Sequence, residues 1–133
     1  MNKNYLLDTH IFIWAVAEPT KLTEVEKNII YNGSNNIYIS SISVLEIAQL
    51  IHKNKISLTQ DLEHWIAQAS NFLDLKSIQV SNDIARLAYI KNLVPHEDPA
   101  DRIISATAMF FDYILISRDK FMNGSSYFKS LII

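Results

Sequence analysis

Short apolar runs that stop at polar residues alternate along this chain with stretches whose apolar positions recur every three to four residues. Tyr5-Leu6-Leu7 ends abruptly at Asp8 and reads as a buried strand delivering a carboxylate at its C-terminal end. Thr9 or Asp8 then caps a helix starting near Ile11. After the turn-like Ser34-Asn35-Asn36, Ile37-Tyr38-Ile39 is a second strand, and Ser40 to Ser43 offer several caps for a helix through about Asn54. The predicted core stripe of that helix is Ile42, Leu45, Ala48 and Ile51, with Glu46 at its edge. From Thr59 to about Phe72 a further amphipathic helix carries Leu62, Trp65, Ile66, Ala69, Phe72 and Leu73. Leu75 to Val80 reads as a third strand, and Ser81 caps a helix with Ile84, Ala85, Leu87, Ala88 and Leu93 on its apolar face. The polar break Pro95-His96-Glu97-Asp98 precedes Pro99 in the first turn of the next helix, whose apolar positions include Ile103, Ile104, Ala106, Ala108, Met109 and Phe110. Asp112 marks its stop, Tyr113 to Ile116 is a fourth strand, and Asp119 again falls just past a strand end. Leu131-Ile132-Ile133 offers an edge strand.

Strands alternating with helices in this way predict an α/β fold with a mostly parallel sheet of four to five strands. The length, 133 residues, suits one domain over 1–133, and 49% hydrophobic with 20% charged residues is the composition of an ordinary globule. Zero cysteines exclude disulfides, thiolate metal sites and cysteine nucleophiles. With Gly33 and Gly124 as the two glycines, no dinucleotide fingerprint, phosphate-binding glycine loop or nucleophile elbow can be written. The early apolar run Ile11 to Ala17 is too short to span a bilayer and lacks a basic leader, so the expected compartment is the cytoplasm.

Ligands of an open parallel sheet bind beyond the C-terminal ends of its strands, where Asp8 and Asp119 stand. Taken alone, either is equally a cap or turn residue. Glu46, beside a buried stripe, needs a partner or a cation to offset its desolvation unless its head reaches solvent. Asp98 and Asp101 share one face at a helix start, where Asp98 also fits a helix cap and Asp101 an acid complementing the helix dipole. Clustered carboxylates of this kind suit a hard divalent cation such as Mg²⁺ or Mn²⁺ rather than zinc, and His10, His52, His64 and His96 show no paired ligand spacing.

Four blocks, Leu-Leu-Asp-Thr-His, Ser-Ile-Ser-Val-Leu-Glu-Ile, His-Glu-Asp-Pro-Ala-Asp-Arg-Ile-Ile-Ser-Ala-Thr-Ala and Leu-Ile-Ser-Arg-Asp-Lys, follow one another across essentially the whole chain. In their order and separations the sequence resembles the PIN domain family, metal-dependent ribonucleases that include the VapC toxins of prokaryotic toxin-antitoxin pairs. The resemblance implies a three-layer α/β/α sandwich and an acidic quartet at Asp8, Glu46, Asp101 and Asp119 that binds one or two Mg²⁺ or Mn²⁺ ions, with water as the attacking group. Asp98 belongs to the Asp-Pro-x-Asp-Arg variant of the third block and is either a support of the metal site or a helix cap. Ser117 stands where the family often has Thr, and its hydroxyl, like that of Thr9, either orients a carboxylate or caps locally.

The implied substrate is single-stranded or looped RNA, whose unstacked backbone is accessible. Arg102, Arg118 and Lys120 adjoin the acids and are candidate phosphate contacts or salt-bridge partners, with His10 and His96 as weaker candidates. Trp14 either stacks a base or belongs to the core or a dimer interface. The resemblance further implies a homodimer and a cognate antitoxin whose guanidinium can occupy the acidic cleft. The alternative reading is a PIN-fold binding or regulatory module without activity, against which the complete quartet speaks. A phosphoryl-transfer enzyme using Asp8 as covalent nucleophile is disfavoured because His10 stands where such enzymes carry a second Asp. The net charge of -2 becomes a basic remainder once the five site acids are set aside, leaving nine acids against 12 Lys and Arg.

Overall fold

The computed structural model describes residues 3–95, 97–120 and 122–131. Four strands, β1 (Asn4–Leu7), β2 (Asn36–Ser40), β3 (Leu75–Ile78) and β4 (Ile114–Ile116), form a wholly parallel sheet in the order β3-β2-β1-β4. Register pairs Leu7 with Ile39 on one side and with Ile116 on the other. The segment after Phe128 extends the β4 edge. Leu115 N–H donates to the Lys129 carbonyl at 2.9 Å, and Leu131 N–H donates to the Leu115 carbonyl at 2.8 Å. Ile132 and Ile133 of the expected edge strand lie outside the described residues, as does His96.

Helices cover both faces: α1 (Thr9–Ala17), α2 (Glu24–Tyr31), α3 (Ser41–His52), α4 (Leu62–Leu73), α5 (Asn82–Leu87) and α6 (Pro99–Phe111). Strand alternation sorts the core between them. Tyr5 and Leu7, Ile37 and Ile39, and Ile116 pack with Ile11, Phe12 and Ile47 and with Trp65, Ala69 and Leu73 of α4. Leu6, Tyr38 and Leu115 face the opposite way, onto Ile84 of α5 and Ile104 and Ala108 of α6. Within the first layer Trp65 meets Phe12 edge-on, their ring centroids 5.4 Å apart. No helix among the described residues is long and apolar enough to cross a membrane.

Several sequence expectations shift once packing is seen. The buried stripe of α3 runs through Ser43 and Ile47, whereas Leu45 is 53% exposed. Two layers meet at this helix, so its inward face is set by contacts with both α1 and α6 rather than by the apolar periodicity alone. Phe72 and Phe110, expected in the core, are exposed at helix C-terminal ends, and β3 stops at Ile78 before Val80. Helix α2, which the apolar pattern did not mark, starts at a capping box: Thr23 Oγ1 accepts from Glu26 N–H and Glu26 accepts from Thr23 N–H. At the ends of α4 and α6, Asp74 and Asp112 take the left-handed conformation with φ of 52° and 57°, a place more often given to glycine.

Candidate functional site

Strand order reverses at β1, since β2 lies on one side and β4 on the other, and the residues leaving these two strands therefore open a crevice. Asp8 and Ser117 each follow the last residue of their strand, and Asp8 N–H extends the ladder by donating to Ile116 carbonyl at 3.0 Å. This pairing sets the two side chains together. Ser117 Oγ donates to Asp8 Oδ2 at 2.7 Å, and Thr9 N–H, at the start of α1, donates to Oδ1 at 2.7 Å. Asp8 is thus both a helix cap and a buried carboxylate, 8% exposed. Ser117 Oγ also accepts from Asp119 N–H at 3.0 Å, so one buried hydroxyl links the two strand-end acids.

Glu46 enters from α3. Thr9 Oγ1 donates to its Oε1 in a short contact, and the same hydroxyl lies 2.8 Å from Ser43 Oγ, one turn earlier on α3. Thr9 and Ser43 are fully buried, so the α1–α3 junction is a polar seam whose terminus is the Glu46 carboxylate. Asp98 caps α6, its Oδ1 accepting from Ala100 N–H at 2.9 Å and Asp101 N–H at 3.3 Å, and Asp101 follows in the first turn. The helix dipole favours an acid there.

The five acids act on one another. Burial, followed by the charges of Asp8, Asp98, Glu46 and Asp119, pushes the Asp101 carboxyl up to about 7. Burial likewise raises Asp8 and Glu46, against the lowering effects of the Ser117 and Thr9 hydrogen bonds respectively, and His10 lies near enough to lower both. The structure thus brings Asp8, Glu46, Asp98, Asp101 and Asp119 into one electrostatic unit with His10 exposed at its margin. Among the described residues, no three acidic or histidine side chains are already arranged to hold a metal ion. The donor set is all oxygen, which matches a hard cation, and ligation requires rotation of these carboxylates toward a common point.

The arginines depart from the sequence expectation. Arg102, expected as a phosphate contact, is 6% exposed and turned into the protein. Its Nε, Nη1 and Nη2 donate to the carbonyls of Ala88, Val94 and Ile90 at 2.8, 2.9 and 3.2 Å, and Tyr89 lies over the guanidinium at 4.8 Å. Ala88 is the C-cap of α5 and Ile90 and Val94 lie in the segment between α5 and α6, so these carbonyls need donors from elsewhere, and Arg102 reaches them from α6. Arg118 lies at the surface beside the site with one edge of its guanidinium committed to Glu26. Lys120 is exposed next to Asp119, and Trp14 is half-buried, 6.1 Å from the His10 ring.

Three residues near the site escaped the sequence reading. Ser43 was legible only as one cap among several, although it lies three residues before Glu46 on the same face. Glu26 was legible as the end of a Thr-x-x-Glu capping box. Asn123, whose Nδ2 donates to Ser117 carbonyl at 2.8 Å and whose N–H donates to Asp119 carbonyl at 3.1 Å, carries no local mark in the sequence.

Known proteins resemble this chain in sequence and in fold. The chain is 28% identical over 115 residues, 86% of each sequence, to ribonuclease VapC22 of Mycobacterium tuberculosis (strain ATCC 25618 / H37Rv). Its fold superposes on a chain of VapBC2 from Rickettsia felis, solved bound to a DNA fragment from their promoter, with a TM-score of 0.66 at 18% identity, covering 96% of this chain and 97% of that one. A chain of DNA-bound VapBC from Salmonella typhimurium gives 0.66 at 20% identity, covering 98% of each. The PIN domain model matches residues 5–123, and the chain belongs to the PIN domain family.

Proposed function

We propose that this protein is an endoribonuclease that hydrolyses phosphodiester bonds of single-stranded or looped RNA with Mg²⁺ or Mn²⁺, acting in the cytoplasm as the toxin of a toxin-antitoxin pair. The observation that carries this reading is the gathering of five acids at the switch point of a parallel sheet, where burial first and the charges of the other four acids second push the Asp101 carboxyl up to about 7. Buried carboxylates that repel one another so strongly are suited to a divalent cation. Asp8, Glu46, Asp101 and Asp119 would hold one or two ions, which supply an activated water and offset charge developing on the phosphate.

The chain's own residues do the positioning. Ser117 and Thr9 donate to Asp8 and Glu46 and partly offset the upward push of burial on them, each leaving carboxylate lone pairs available for ligation. Asp98 acts as the cap that presents Asp101 at the helix start, rather than as a ligand. His10 and Lys120, exposed beside the acids, take RNA phosphates, whereas Arg118 is committed to Glu26 and Arg102 is withdrawn from that role by burial. The relatives named as VapBC complexes support a cognate antitoxin, and a guanidinium from such a partner fits the acid cluster in place of the cation. Assembly as a homodimer is part of the same proposal.

The test is digestion of structured RNAs and matched DNA by purified protein in Mg²⁺ or Mn²⁺, with EDTA and Asp8→Asn alongside. Cleavage of RNA that EDTA and the substitution both abolish is the expected result. Equal cleavage by wild type and Asp8→Asn removes the assignment and leaves the inactive binding module as the alternative.

A further inference from the structure

Glu26 is fully buried, yet it lies on α2, outside the acid cluster, and its burial has a specific use. A lone buried carboxylate is costly, and here the cost is offset by paired donors. Its Oε1 accepts from Thr23 N–H at 2.8 Å, its Oε2 accepts from Arg118 Nε at 2.9 Å, and Arg118 Nη2 donates to Oε1 in a short contact. This is the two-pronged pairing that fixes a guanidinium in one plane. Arg118 Nη2 also donates to the Lys21 carbonyl at 3.0 Å, and the guanidinium lies 5.3 Å from the centre of the Trp14 ring on α1. One side chain is therefore gripped by α1, by α2 and by the turn between them. Arg118 immediately precedes Asp119, whose N–H is held by Ser117 Oγ and whose carbonyl accepts from Met122 and Asn123 N–H at 3.1 Å each.

From these contacts we propose that Glu26 is a positioning residue: through Arg118 it anchors the loop after β4 to α2 and so fixes where the Asp119 carboxylate stands. The inference rests on the proposed role of Asp119 for its catalytic consequence, but the anchoring itself is measurable without activity. Glu26→Gln keeps the volume and the acceptor of the capping box while removing the charge that holds Arg118 on two prongs. Thr23→Ala removes the cap hydroxyl and leaves the Arg118 pair in place, so it reports what loosening α2 alone does.

Hydrogen exchange followed by mass spectrometry is the test, with cleavage kinetics beside it. In Glu26→Gln, amide exchange in 117–123 is expected to speed up about tenfold, while Thr23→Ala changes only the start of α2. In the cleavage assay kcat of Glu26→Gln is expected to fall about tenfold with KM within about twofold of wild type. Arg118→Gln gives the same exchange change, and the double variant adds nothing to it, because both remove one link. Unchanged exchange in 117–123 of Glu26→Gln overturns the proposal. So does exchange that quickens equally throughout the chain in both Glu26→Gln and Thr23→Ala, or a raised KM at wild-type kcat, which would make the pair a grip on RNA. Should the wild-type protein cleave nothing, the catalytic reading fails while the exchange comparison still decides the anchor.

Discussion

Replacing Arg102 by methionine separates two opposed roles for one residue, the phosphate contact expected from its place beside Asp101 and the internal brace seen in the structure. Methionine keeps much of the apolar stem but leaves the carbonyls of Ala88, Val94 and Ile90 without the donors they now have. An unsatisfied buried acceptor costs about 1–3 kcal/mol, and the relief of no longer burying a guanidinium returns part of this, so a net loss of about 3 kcal/mol is expected. For a chain of this length, with an unfolding entropy of about 2.1 cal/mol/K per residue, that lowers Tm by about 10 °C. The assay is thermal or urea unfolding followed by circular dichroism, paired with RNA-binding measurements at a temperature where both proteins are folded. The brace predicts a large loss of stability with RNA affinity within about twofold of wild type for the folded fraction. A Tm within about 2 °C of wild type together with markedly weaker RNA binding would falsify the brace and restore the surface role.

Three other outcomes follow from the acid cluster. Because its pKa is raised, from 3.8 to about 7, Asp101 favours the folded state less as pH rises through that interval, and the penalty is complete above about 7. The rise corresponds to about 4 kcal/mol, which solvent screening of a half-buried group reduces to about 2 kcal/mol, so metal-free Asp101→Asn should melt about 7 °C above wild type at pH 8 and alongside it near pH 4. A cation binds the ionised form, so 10 mM Mn²⁺ should raise the wild-type Tm more at pH 8 than at pH 6, by calorimetry, and an equal rise at both pH values would remove Asp101 from the metal site. Ser117→Ala deprives both Asp8 Oδ2 and Asp119 N–H of their partner, with an expected cost of about 2 kcal/mol in urea unfolding and a loss of Mn²⁺ affinity of about tenfold, whereas Ser117→Thr retains both.

Much of the sheet was legible because parallel strands buried on both faces read as apolar runs. Tyr5 to Leu7, Ile37 to Ile39 and Ile114 to Ile116 are such runs, each closed by a polar residue. Helix α6 was legible through Asp98, Pro99 and Asp112, whose capping chemistry is local. Helix α2 was missed because its eight residues bury Glu26 and Ile30 and leave Val25 half-exposed, so no apolar stripe announces it. The stripe of α3 was misphased for a related reason: Ser43 is buried against Thr9, and a periodicity that counts apolar side chains passes over a buried hydroxyl.

The acids themselves belong to the sequence, which places Asp8 and Asp119 at strand ends and Asp98 and Asp101 at a helix start by patterns that need no partner elsewhere in the chain. What each one does depends on neighbours brought in from far along the chain. Ser117 reaches Asp8 across 109 positions and Thr9 reaches Glu46 across 37, through a strand order that no local pattern encodes. The two arginines show the same division. Both stand directly beside a site acid in sequence, yet Arg102 turns inward from α6 to the carbonyls of Ala88, Ile90 and Val94, and Arg118 is held 92 positions away by Glu26. Adjacency along the chain determines where a backbone goes, but a long side chain can swing to whichever acceptors the packed helices leave unsatisfied, and only the tertiary structure decides which those are.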